Sequence, residues 1–122
     1  MFFVRCLIVD DSANFRDAAT SMLERAGISV VGVASNSVDA LTRYRELRPD
    51  VTLVDVDLGA ESGFDLVVQL HAADSPAPSL ILISTHSEQD FADMIAASPA
   101  LGFLPKFALS PAAIQDLLAA KA

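Results

Sequence analysis

One cysteine, Cys6, stands in 122 residues. No disulfide can close within the chain, which fits a reducing cytoplasm, and Cys6 among apolar neighbours reads as a small buried hydrophobe. Basic residues are scarce: two lysines and six scattered arginines face sixteen acidic residues, for a net charge of −8. Such a chain lacks the footprint that neutralises phosphates, so direct nucleic-acid binding by this domain is excluded. No apolar run approaches the roughly 20 residues of a membrane-spanning helix, so no membrane partner is expected. The opening MFFVRCLIV is a poor signal peptide: Arg5 interrupts it, and VDDS follows where a small-residue cleavage site belongs. Gly-x-Gly-x-x-Gly and Gly-Lys-Ser/Thr are both missing, which excludes a dinucleotide-binding module and a P-loop nucleotidase. Repeats, low-complexity tracts and linkers are absent too, and ADSPAPS (73–79) is a Pro/Ser-rich piece of loop length.

What is present is a core. Hydrophobic residues make up 52% and charged residues 20%, enough for one compact domain over 1–122 and too short a chain for two. Strand and helix patterns alternate throughout. FFVRCLIVD reads as a strand, then SANFRDAATSMLERAG as a helix capped by Ser12 or Asp11 and ended by Gly27, with Phe15, Ala18, Met22 and Leu23 on one face. ISVVGVA is a second strand, followed by the helix SVDALTRYRELRP with Val38, Leu41, Tyr44 and Leu47 at helical spacing. VTLVDV is a third strand and GFDLVVQLHAA a third helix. SLILIS precedes SEQDFADMIAA, a helix opened by the Ser87/Asp90 capping pattern. LGFLP is a short last strand, and SPAAIQDLLAA a helix with Ser110 as cap and Pro111 at its first position. This α/β alternation, with all-apolar third and fourth strands, predicts a parallel sheet covered on both faces.

In such a sheet the functional crevice lies beyond the carboxyl ends of the strands, where strand order reverses. Asp10 and Asp11 end the first strand, Asp55 the third and Ser84 and Thr85 the fourth; the fifth leads through Pro105 into Lys106. Each has a bland reading, as helix cap, turn residue or solvated lysine. Their coincidence on one rim is what carries weight. Three adjacent carboxylates must be neutralised by protons or by a cation, and hard oxygen ligands suit Mg²⁺. A metal, an ammonium, a hydroxyl donor and a nucleophilic carboxylate together form a stage for phosphoryl transfer. His71, near the end of the third helix, reads as a cation at a helix C-terminus or plain surface.

Over essentially its whole length the chain resembles the response-regulator receiver domain of two-component signalling. The family's acidic pair falls on Asp10 and Asp11, its phosphoacceptor on Asp55, and a glycine eight residues beyond on Gly63. The switch hydroxyl falls on Ser84, the aromatic switch on Phe103 and the lysine on Lys106. The resemblance implies a flavodoxin-like, doubly wound, five-stranded parallel sheet of order 2-1-3-4-5 with five helices. It implies Mg²⁺ held by Asp11 and Asp55, by Asp10 through water and by the backbone carbonyl of Asp57. A histidine kinase is the implied donor, and a downstream effector or C-terminal output domain the implied receiver of the signal. The domain is then no enzyme: it is a phosphoacceptor with self-catalysed transfer and slow autodephosphorylation, in which Asp57, Thr85 and His86 set rates. Phosphorylation draws Ser84 toward the acceptor and frees Phe103 to turn inward. Three positions depart from the family pattern. Gly59 stands where proline is usual, so Gly59→Pro is expected to stiffen the loop; Thr85 is larger than the usual Ala or Gly; and Pro105 precedes Lys106 instead of following it.

Two rivals remain. Asp55-x-Asp57 after an apolar strand resembles the nucleophile motif of haloacid-dehalogenase-type phosphatases, although that motif normally opens the first strand. A receiver-like scaffold independent of phosphorylation is the other. Residues 87–119 carry Phe91, Met94, Ile95, Phe103, Phe107 and Leu109 with Lys106 as their one basic residue. That composition predicts, at most, a weak apolar homodimer through this face.

Overall fold

A computed structural model describes residues 4–73 and 78–121. The start of the expected first strand and most of ADSPAPS lie outside the described residues. Five strands form one sheet: β1 (Arg5–Val9), β2 (Ser29–Ala34), β3 (Val51–Asp55), β4 (Leu80–Ser84) and β5 (Gly102–Pro105). All pair in parallel, in the order β2-β1-β3-β4-β5, so the order reverses between β1 and β3. The helices are α1 (Ala13–Arg25), α2 (Ser37–Leu47), α3 (Gly63–Ala72), α4 (Ala92–Ala97) and α5 (Pro111–Lys121). This is the parallel sheet covered on both faces that the alternation predicts, in the doubly wound, flavodoxin-like order that the resemblance implies.

The central strands are buried on both faces, and their alternate side chains feed two cores. Leu7, Val9, Val54, Leu80 and Leu82 pack with α2 and α3 on one side. Cys6, Ile8, Leu53, Ile81 and Ile83 pack with α1 and α5 on the other. Burial pushes the Cys6 thiol up to about 12, which keeps it an inert hydrophobe. Helix ends follow local chemistry. Ser12 accepts from the Phe15 N–H, and α1 closes with Gly27 N–H to Glu24 O and Ile28 N–H to Leu23 O, Gly27 taking φ +86°. That pair of reverse bonds demands a left-handed residue, which glycine adopts without strain.

Three details differ from the sequence pattern. Ala19, not Ala18, is the buried alanine of α1, and Val38 of α2 is 72% exposed. On α2 the inward face is centred on Ala40 and Tyr44, and at 100° per residue Val38 points nearly opposite to Ala40. The expected fourth helix also divides. Glu88–Phe91 wind as a 3-10 turn, and only Ala92–Ala97 are α-helical. Phe91 leaves helical geometry at φ −127°, with its ring against Phe64 and Phe103. The fit of this aromatic ring outweighs regular winding in a segment whose other core contact is the partly buried Ile95. A hairpin of two-residue arms, Asp57–Leu58 and Glu61–Ser62, follows β3 and has no counterpart in the predicted pattern.

Gly63 opens α3 directly against the end of β3, its N–H donating to Val56 O at 2.8 Å. A Cβ there would overlap the Asp55 carbonyl, 2.8 Å from its carbon and 2.9 Å from Val56 Cα, all of it backbone. At Gly32 the obstacle is the tip of Leu47, which can rotate. Gly63→Ala should therefore cost about 3 kcal/mol in urea unfolding with an unchanged m-value, and Gly32→Ala distinctly less. Equal losses would mean that the β3–α3 approach is not a constraint.

Candidate functional site

The reversal of strand order leaves a crevice at the carboxyl edge, and the register fills it. Asp55 pairs with Ile83 and Ser84 with Pro105, so Ser84 follows the neighbour of Asp55 and Lys106 follows Pro105 on the same rim. Asp11, Asp55, Asp57, Ser84, Thr85, His86 and Lys106 line one cleft of about 430 Å³. Asp10 lies beneath it, fully buried.

Each polar group at the bottom of the cleft is held. Asp10 Oδ1 accepts from the Ser12 N–H at 2.8 Å, and its carbonyl accepts from Arg16 Nη1 at 2.7 Å. Lys106 Nζ lies 2.6 Å from Asp10 Oδ2 and 3.2 Å from Asp55 Oδ2. Asp55 Oδ1 accepts from the Asp57 N–H at 3.2 Å. Burial first, and then the neighbouring Asp10 charge, push the Asp55 carboxyl up to about 6 against the pull of Lys106. For Lys106 burial opposes the charge, but the bond to Asp10 and the fields of both carboxylates outweigh it and hold the ammonium above its usual range.

One carboxylate oxygen each from Asp10, Asp11 and Asp55 lies within 4.8 Å of the other two. Against these three carboxylates Lys106 supplies one positive charge. A hard, all-oxygen donor set with excess negative charge fits a divalent cation such as Mg²⁺.

The remaining expected residues are distributed around this centre. Ser84 is buried, its Oγ accepting from the His86 N–H at 3.0 Å. Thr85 and His86 are exposed at the mouth, and the His86 ring meets Phe91 edge-on at 6.0 Å between centroids. Asp57 is exposed, and its Oδ1 accepts from the Gly59 N–H, so the carboxylate closes its own turn instead of standing free as a general acid. Gly59 takes φ +75°. Proline is locked near −65° and cannot replace it without breaking the turn, so the expected stiffening by Gly59→Pro does not hold. Phe103 is already inside, 8% exposed and packed against Phe91. The inward position expected on phosphorylation is the one the ring holds in this structure. His71 is exposed in the last turn of α3, away from the cleft.

Three contributors escaped the sequence pattern. The Phe15 ring lies 4.3 Å from Lys106 Nζ, adding a cation–π contact to the ammonium. Arg16 clamps the Asp10 carbonyl. Glu61 lines the cleft while its Oε1 accepts from the Ser37 N–H at the start of α2. The position of Phe15 and Arg16 one turn beyond the acidic pair was the available signal for the first two; Glu61 arrives only through the hairpin.

This arrangement of fold and site is that of a known class. The family model described as response regulator receiver domain matches residues 6–119, and the chain belongs to that family. It is 37% identical over 105 residues to a protein-glutamate methylesterase/protein-glutamine glutaminase of Idiomarina loihiensis, covering 84% of this chain and 27% of that protein. It is 33% identical over 85 residues to chemotaxis protein CheY of Thermotoga maritima, covering 70% of each. The chain spans about a quarter to a third of the length of the methylesterase relatives it matches. Among solved structures, the signal receiver domain of NarL from Mycobacterium tuberculosis superposes with a TM-score of 0.86 at 26% identity, over 98% of both chains. Among the described residues no helix is long and apolar enough to cross a membrane.

The perturbed acceptor has a consequence for stability. Folded Asp55 keeps its proton up to about pH 6, whereas the ordinary carboxyl value is 3.8. The folded state thus binds more protons across that window, and stability present below it is lost as pH rises through it. With chelator present, Asp55→Asn should be more stable than the wild type at pH 8, by about 1 kcal/mol after solvent screening. The difference should close near pH 4. Thermal melts at the two pH values check this, and a gain that persists at pH 4 would assign it to packing.

Proposed function

We propose that this receiver domain accepts a phosphoryl group on Asp55 from a histidine kinase, with Mg²⁺ bound. The observation that carries this reading is Lys106, bridging Asp10 and Asp55 at the floor of the acidic cleft. Asp11 and Asp55 would hold the ion directly, with Asp10 through water and the Asp57 carbonyl completing the set. When bound, Mg²⁺ screens the carboxylates from one another and from the incoming phosphoryl oxygens.

The chain's own groups do the rest. An Asp55 carboxylate oxygen attacks phosphorus; the P–N bond of phosphohistidine breaks, and its electron pair returns to the imidazole. Lys106 exchanges its contact with Asp55 for one with a phosphoryl oxygen, an ammonium–anion hydrogen bond of the stronger kind. The Ser84 oxygen accepts from His86 N–H, which leaves its hydroxyl proton available to a second phosphoryl oxygen. Movement of Ser84 toward the acceptor pulls on β4 and on the His86–Phe91 contact, biasing the face formed by α4, β5 and α5. Phe103 takes part as a ring already packed on Phe91, transmitting displacement without changing sides. Thr85 and His86 at the mouth, with Asp57, set how readily water reaches the acyl phosphate.

The effector, or an output domain in a longer protein, reads that face, and action in the cytoplasm follows from the kinase partner. Phe107, 85% exposed beside β5, would sustain no more than weak self-association.

Intact-mass labelling with acetyl phosphate tests the chemistry. One phosphate adduct should appear, disappear with chelator and be absent from Asp55→Asn. Thr85→Ala should hasten its loss by opening the mouth. Equal labelling of Asp55→Asn would place the acceptor elsewhere.

A further inference from the structure

The chain's negative charge is unevenly placed. No lysine or arginine occurs between Arg48 and Lys106, a stretch holding nine of the sixteen acidic residues. Within it, α3 carries Asp65 and α4 carries Asp93, and neither helix has a lysine or arginine. Between these helices lies a groove of about 220 Å³ lined by Phe64, Asp65, Val68, Met94, Ala97 and Ser98. Phe64 and Val68 are one turn apart on α3, and Met94 and Ala97 one turn apart on α4, so both helices present apolar rows to the same space. Val68 is 54% and Met94 51% exposed. Neither is needed by the core, which α3 fills with Leu66, Val67 and Leu70. Asp65 borders the groove, and Asp93, exposed in the first turn of α4, precedes Met94.

We infer that this α3–α4 groove is a docking surface for a cationic amphipathic segment of a partner protein. Two large apolar side chains one helical turn apart match the paired rows of the groove, and lysines or arginines beside them meet Asp65 and Asp93. Like charge at Asp65 and Asp93 disfavours an acidic segment and a second copy of the same surface. Met94 is soft and unbranched, suited to repacking around an incoming side chain. The surface lies on the α2–α3–α4 side of the sheet, opposite α5.

The probe is a synthetic helical peptide with leucines at i and i+4 and lysines flanking them, titrated into the metal-free, unphosphorylated chain carrying methyl labels. The Val68 and Met94 methyl signals should shift saturably, while those of Leu117 and Leu118 on α5 stay fixed. Val68→Ser with Met94→Ser should weaken binding at least tenfold with unchanged melting, as should Asp65→Asn with Asp93→Asn at low salt. A glutamate version of the peptide should not bind. Wild-type affinity in the serine double variant, or shifts centred on other residues, overturns the inference. Shifts of Val68 and Met94 on concentrating the protein alone also overturn it, since they assign the groove to a second copy.

Discussion

The Lys106 ammonium sits between two carboxylates, 2.6 Å from Asp10 and 3.2 Å from Asp55. Without it, the ends of β1 and β3 would bring uncompensated charge together where water is largely excluded, at a cost no sheet hydrogen bond could offset. The lysine reaches this point because β5 lies two strands from β3 and ends level with it. Phe15 lies against the ammonium, so α1 helps fix the cation as well as the core. Burial and the Asp10 charge push the Asp55 carboxyl up to about 6 against the pull of this lysine, and one ammonium among three carboxylates leaves a donor set that fits a divalent cation.

The backbone around Asp55 is equally restricted. Gly63 lets α3 start in contact with the end of β3, and the Gly63 N–H ties that start to Val56. The Asp57 N–H then holds one acceptor oxygen while Asp57's own carboxylate closes the turn at Gly59. Asp55 and the loop through Gly59 are therefore tied together by hydrogen bonds. Their counterpart on β4 is looser. Ser84, Thr85 and His86 lead into a 3-10 turn and a six-residue helix, anchored chiefly by Phe91 against Phe64, Phe103 and His86. A short helix with no buried residue and one aromatic anchor is the part of the fold that opens at least cost.

That contrast explains which features were legible in one dimension. Four-residue, largely apolar runs ending in aspartate, Cys6–Val9 before Asp10 and Val51–Val54 before Asp55, predict both the strands and the rim, because a parallel sheet admits only one edge for its chemistry. The chemical groups Asp10, Asp11, Asp55, Ser84 and Lys106 were all readable that way. Period and capping likewise placed α1, α2, α3 and α5 within a residue or two. The misreadings lie where a neighbour decides: Val38 faces outward because Ala40 and Tyr44 seat α2, and the fourth helix breaks because the Phe91 ring seeks the core.

By itself, then, the sequence determined the alternating α/β order, the two-sided burial of the central strands and the identity of the groups at their carboxyl ends. These depend on periodicity and on residue type, which are local properties. Only the tertiary structure decided that Lys106 bridges Asp10 and Asp55, that Phe103 is already inside, and that Val68 and Met94 meet across a groove. Each of those depends on distances between segments remote in the chain, set by strand register and helix packing, and no local pattern encodes them.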